Sequence, residues 1–221
     1  MAEINNEKPI RIPNKDGKLA ELTGIILGDG GIYTNKEKSM YELRIAGHST
    51  DDKEYLLNFV KPLIEELFDI NVRVYFSKKR NFMHIIAQSK RLIDYLEKMG
   101  LKSGDKIRNN LSIPSWIFSD EKYIKSCIRG LIDTDGSVYN IKNRNYSYIS
   151  FTCGIPSLRE DFEALMKGLG YKLAKWNYHR TPETYIASKE LILRYSKEIG
   201  FSNPKHIKRL KVPMISNAPV V

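Results

Sequence analysis

Apolar positions along the chain recur with two spacings, one helical and one alternating, and their order repeats once. Residues 18–28 are almost continuously apolar and predict a buried helix. Alternation then predicts strands near 31–33 and 41–46, with Leu43 and Ile45 on the core side. Leu56, Leu57, Val60, Leu63, Ile64 and Leu67 share one face of a helix over 52–67, capped by Asp51 or Asp52. Pro62 lies inside that helix and predicts a kink or break, because proline offers no N–H. Strands near 71–77 and 83–88 follow, then a helix over 90–99 that stops at Gly100. From residue 120 the same order returns. A helix over 121–134, capped by Ser119 or Asp120, precedes strands near 137–139 and 146–153. A helix over 157–169, strands near 172–178 and 184–188, and a helix over 190–199 complete it.

The two halves therefore read as αββαββα repeats, an α+β fold built from curved antiparallel sheets. The boundaries are an N-terminal arm over 1–16, loosely ordered and carrying Pro9 and Pro13, a first repeat over 17–103, a linker over 104–119 and a second repeat over 120–221. The repetition is sharpest at the leading helices. Leu22-Thr23-Gly24-Ile25-Ile26-Leu27-Gly28-Asp29-Gly30 matches Ile128-Arg129-Gly130-Leu131-Ile132-Asp133-Thr134-Asp135-Gly136, placing Asp29 and Asp135 at equivalent positions. Tyr33 and Tyr139 follow at the same offset.

A single Asp-Gly after a helix is an ordinary turn. Two at matched positions are not readily explained that way. A carboxylate at a helix C-terminus meets the negative end of the dipole and the unpaired carbonyls. Two such ends side by side concentrate negative charge that a divalent cation would neutralise, and an all-oxygen donor set suits Mg²⁺. Gly24 and Gly28 leave one helical face bare, and Gly130 and Thr134 hold the matching positions, so the two helices can approach closely. The acids do not form an EF-hand loop, since the glycine is misplaced and the twelfth position is Arg144. Gly28-Asp29-Gly30-Gly31 follows a helix rather than a strand and is no dinucleotide fingerprint.

Charge adds a partner. The chain of 221 residues carries a net +10 at pH 7, which points to a polyanion. The basic residues are segregated: six between Arg73 and Arg91 with no acid, and four more between Lys205 and Lys211. No apolar run approaches the ~20 residues that span a membrane, residues 1–18 carry no signal pattern, and the two cysteines have no metal-ligand or disulfide spacing. These features lead us to expect an intracellular protein, cytoplasmic, nucleoid-associated or organellar, and not secreted. The Met1 start without a splicing-type cysteine or serine reads as free-standing rather than embedded in an intein.

With the duplicated motif, the Ile113-Pro114 linker and the stretch Ile199-Gly200-Phe201-Ser202-Asn203-Pro204-Lys205-His206, the chain resembles the double-motif LAGLIDADG homing endonucleases over nearly its whole length. The first motif copy is the more divergent, with Leu27 and Gly28 at its sixth and seventh positions. The resemblance implies a monomer with pseudo-twofold symmetry, the motif helices at its centre and the sheets forming a saddle over duplex DNA. It implies Mg²⁺-dependent cleavage of both strands across the minor groove, leaving 3′ overhangs. Asp29 and Asp135 would bind metal with the carbonyls of Gly28 and Thr134. Mn²⁺ would substitute, and Ca²⁺ would bind without supporting cleavage. Basic residues assist catalysis in such enzymes, and Lys106 and Lys205 are the matching candidates here, with His48 near a position where some relatives carry lysine. The family also includes RNA-binding intron maturases, and a catalytically silent DNA-binding regulator is a third reading.

Strand alternation selects the DNA-facing side chains. Glu42 and Arg44 face outward in the first half, with Arg73, Tyr75 and Ser77 on the next outward strand, and Tyr148 and Ser150 are their second-half equivalents. Lys78, Lys79, Arg80, Lys142, Arg144, Lys175, His179 and Arg180 lie in or beside loops positioned to reach phosphates.

Overall fold

A computed structural model describes residues 9–77, 79–142 and 145–211. Lys78 and Arg144 of the expected DNA-contacting set lie outside the described residues. The first half runs α1 (Gly17–Leu27), β1 (Gly30–Asn35), β2 (Met40–His48), α2 (Lys53–Tyr55), α3 (Lys61–Phe68), β3 (Arg73–Phe76), β4 (Phe82–Gln88) and α4 (Lys90–Lys98). After a short 3₁₀ turn at Ser115–Ser119 come α5 (Glu121–Asp135), β5 (Gly136–Asn140), β6 (Ser147–Thr152), α6 (Pro156–Gly168), β7 (Glu183–Ile186), α7 (Lys189–Glu198) and α8 (Pro204–Arg209). The sheets are antiparallel, ordered β1-β2-β4-β3 and β5-β6-β7. No helix among the described residues is long and apolar enough to cross a membrane.

The centre is the contact of α1 with α5. All but one residue of α1 are buried, including Glu21 and Thr23, as expected of a helix apolar on every side. A Cβ added at Gly24 would lie 2.2 Å from the Cys127 carbonyl oxygen, and one at Gly130 would lie 2.3 Å from that of Glu21. The two backbones thus touch where the sequence leaves out side chains. Around them Ile32, Leu43, Ile45, Met83, Ile85 and Ala87 form the core face of the first sheet, and Val138, Ile149, Phe151 and Ile186 that of the second.

Pro62 acts as its chemistry requires. α2 passes through a π turn at Leu56–Val60, where the Lys61 N–H donates to the Leu56 carbonyl, and α3 then starts with Pro62 in its first turn. At the end of α4, Gly100 takes φ +101° and the Leu101 N–H returns to the Leu96 carbonyl, a left-handed cap.

Two expectations change. The strand expected over 172–178 is not continuous. Ala174 and Asn177 bond to Tyr185 and Glu183, but no ladder forms. Its apolar residues, Tyr171, Leu173 and Trp176, fall out of period-two phase between 173 and 176, and Trp176 turns to donate to Glu163 on α6. The arm is not loose over residues 9–16. Arg11 N–H donates to the Phe68 carbonyl at 2.8 Å, and Tyr123 Oη donates to the Lys15 carbonyl at 2.6 Å. α8 is an addition that the sequence pattern did not predict.

Candidate functional site

The ends of α1 and α5 meet at the central contact. A Cβ on Gly28 would sit 2.0 Å from Thr134 Oγ1 and 3.5 Å from Asp135 Oδ2, so the last turns of the two helices abut. Thr134 turns its hydroxyl back to the Gly130 carbonyl at 2.9 Å, keeping the contact tight without an unmet donor.

Both motif acids hold their protons far more strongly than ordinary carboxyls. Burial, then the charge of Asp52, pushes Asp29 up to about 6, with Lys106 and Lys205 pulling against it. Burial, then Asp29, pushes Asp135 up to about 7, with Lys106 opposing. The two acids therefore feel each other and share Lys106. Lys106 Nζ donates to the carbonyls of Leu27, at 2.9 Å, and Gly28, and burial lowers its pKa against the pull of Asp135 and Asp29. A cleft of about 500 Å³ opens beside it, bordered by Gly28, Lys106, Asp135 and Cys153.

Lys205 lies on the other side. Its Nζ is 2.6 Å from Asp52 Oδ1. Burial would raise Asp52, but the bonds from Lys205, the His48 N–H and Asn203 hold it below the usual carboxylate range. Sequence reasoning took Asp52 only as a helix cap, and no local pattern marks its second role. His48 does not take a lysine's place, because Thr50 Oγ1 engages its ring at 2.8 Å.

The sixth motif position explains how the lysines are placed. In the second copy it is Asp133, buried and pushed up to about 8 by burial, with Glu21 a smaller contributor. Asp133 Oδ2 accepts from the Ser202 N–H at 2.7 Å and its carbonyl accepts from Asn203 Nδ2, fixing the turn that starts α8 and carries Lys205. In the first copy the position is Leu27, and its carbonyl takes Lys106 directly.

The expected DNA-facing residues divide. Arg44 and Arg73 lie on one face of the first sheet, on either side of Ile86, and both approach Glu42: Arg44 Nε at 2.8 Å from Oε2 and a guanidinium nitrogen of Arg73 at 3.7 Å from Oε1. Tyr75 is exposed, and Ser77 Oγ accepts from the Arg80 N–H. Lys79, Arg80, Lys142, Lys175, His179 and Arg180 are all exposed. Tyr148 is half-buried and stacks on Tyr185 at 5.2 Å. Ser150 contradicts its assignment as an exposed contact. It is 1% exposed and its hydroxyl has no partner among the described residues. Alternation gives a residue's face, not its depth, and Ser150 lies between Ser137 and Tyr185 on neighbouring strands.

Residues 122–200 match the LAGLIDADG-like domain family. The fold extends the likeness across the chain. I-DmoI, in a crystal structure with DNA and Ca, superposes with a TM-score of 0.58 at 21% identity, over 83% of this chain and 88% of that one. The chain is a LAGLIDADG protein. The N-terminal LAGLIDADG domain of DUF199/WhiA shares the fold at a TM-score of 0.56 and 19% identity, over 86% of each chain. At the level of sequence, this LAGLIDADG protein is 31% identical over 135 residues, 61% of its length, to a polypeptide of the A-type ATP synthase of Pyrococcus abyssi, where the match covers 12% of that protein. The chain spans a fifth or less of the length of the curated relatives it matches.

Proposed function

We propose that this LAGLIDADG protein is a site-specific endonuclease that hydrolyses both strands of duplex DNA across the minor groove in the presence of Mg²⁺, leaving 3′ overhangs. The observation that carries the reading is the pair of acids, Asp29 and Asp135, raised by burial at abutting helix ends. A protein that only bound phosphate would lose affinity by clustering carboxylates there.

The donor set fits a hard divalent cation. Among the described residues no group of three or more His, Cys, Asp or Glu side chains gathers to hold a metal. The site offers two carboxylates and backbone carbonyls, the all-oxygen set that Mg²⁺ accepts while keeping several waters. Asp29 and Asp135 would hold it, with the Gly28 and Thr134 carbonyls. When bound, the metal supplies Lewis-acid polarisation of the phosphodiester and makes water more acidic. The chain's own groups do the rest. Lys106 places a positive charge between the acids and the cleft, where it meets a phosphate oxygen. Lys205, tethered by Asp52, does the same beside Asp29.

The test is cleavage of a target recovered from a randomised duplex library. The wild type should cut both strands in Mg²⁺, and Asp29→Asn and Asp135→Asn should bind the same DNA in Ca²⁺ yet cut at least about a hundredfold more slowly. A wild type that binds its site and leaves it intact in Mg²⁺ and in Mn²⁺ would establish a pure binder instead.

A further inference from the structure

The two sheets carry different chemistry at matched positions. In the first, Arg44 on β2 pairs across to Ile86 on β4, which pairs on to Arg73 on β3. Glu42, 7% exposed, and Gln88 hold the two guanidiniums in place, with Arg73 donating to Gln88 Oε1 at 2.8 Å. The same row in the second sheet is Ser150 on β6 and Tyr185 on β7, followed by the bridge to Ala174. Where the first half has Glu42 the second has Tyr148, its ring stacked on Tyr185 and 5.8 Å from Tyr139. β5, β6 and β7 contain no Arg, Lys or His, so the cations of this half sit in its loops.

Paired guanidiniums match the O6 and N7 acceptors of guanine. An aromatic face with no cation has nothing to offer those atoms, but gives apolar contact to the 5-methyl of thymine. We propose that the two sheets read half-sites of different chemistry, with guanine specified beneath β1–β4 and thymine beneath β5–β7. The inference rests on the DNA-binding part of the function proposed above. It makes the target asymmetric in base composition, with orientation set by the arginine fork at one end.

The test is selection of bound duplexes from a randomised library in Ca²⁺, with the full chain. Guanine should be enriched in one half-site only, and Arg44→Ala should erase that preference by about tenfold, which identifies the half-site beneath the first sheet. Replacing thymine by uracil should then weaken binding about fourfold per specified methyl in the opposite half-site, and leave the guanine half unaffected. Tyr148→Ala should remove the uracil effect while Arg44→Ala keeps it. Guanine enriched equally in both half-sites, or uracil tolerated throughout, overturns the proposal while leaving DNA recognition intact. Failure to retain any duplex selectively overturns the proposed function with it.

Discussion

At the scale of single residues, the raised acids set how the protein responds to pH. In the unfolded chain Asp29 and Asp135 ionise near 3.8, whereas burial moves them to about 6 and about 7 in the fold. Between about 4 and 7 the folded protein therefore binds more protons than the unfolded chain, and these groups' contribution to metal-free stability is lost as pH rises through 6–7. Asp133, at about 8, has the same sign. His206, held neutral by burial and lowered to about 4, opposes it between about 4 and 6.5. A cation binds only the ionised pair, so Mg²⁺ should raise the melting temperature little at pH 5 and clearly at pH 8. Asp135→Asn should lose most of that Mg²⁺ shift. Thermal melts across this range decide it, and an equal Mg²⁺ shift at both pH values would remove the acids from metal binding. The acids and both lysines were legible because they recur at matched places in a duplicated pattern. Asp52 and the restraining part of Glu42 were not, since each depends on partners that only the fold brings together: Lys205 lies 153 positions from Asp52.

At the scale of elements, the glycines of α1 and α5 separate packing from propensity. Alanine favours a helix over glycine, yet a Cβ at Gly24 would lie 2.2 Å from the backbone of α5. Gly24→Ala should cost about 1–3 kcal/mol, lowering the melting temperature by roughly 3–10 °C. Gly168→Ala is the control, since its added Cβ meets nothing within 4 Å, and it should not destabilise. Differential scanning calorimetry of both variants tests this, and equal effects would deny a close helix contact. The order of helices and strands was readable because each element keeps one period over several residues. The 172–178 segment was misread because Trp176 changes face to reach Glu163, a contact with no trace in the local pattern.

For the whole molecule, many cations spread over loops predict affinity that falls steeply with salt, with a log–log slope of several units. Neutralising Lys79 and Arg80 together should flatten the slope and weaken binding to all sequences alike. Arg73→Ala should instead cost about 1–3 kcal/mol at particular base pairs. Binding isotherms at several salt concentrations on matched and mismatched duplexes separate the two. A site preference altered by the loop change and not by Arg73→Ala would reverse the assignment of loops to phosphate and strands to bases.

The linker between the halves has a role of its own. Its two ends are anchored to opposite halves, Lys106 on the Leu27 and Gly28 carbonyls and the Ile113 N–H on Asp161, while the Arg108 side chain between them is 88% exposed. Hydrolysing the chain after Arg108 would cut none of these contacts. It would turn an intramolecular association, at an effective concentration on the order of millimolar, into a bimolecular one. A protein nicked there should keep its fold and its site at high concentration and lose them on dilution, whereas the intact chain is indifferent to dilution. The linker, on this view, supplies mass action rather than structure.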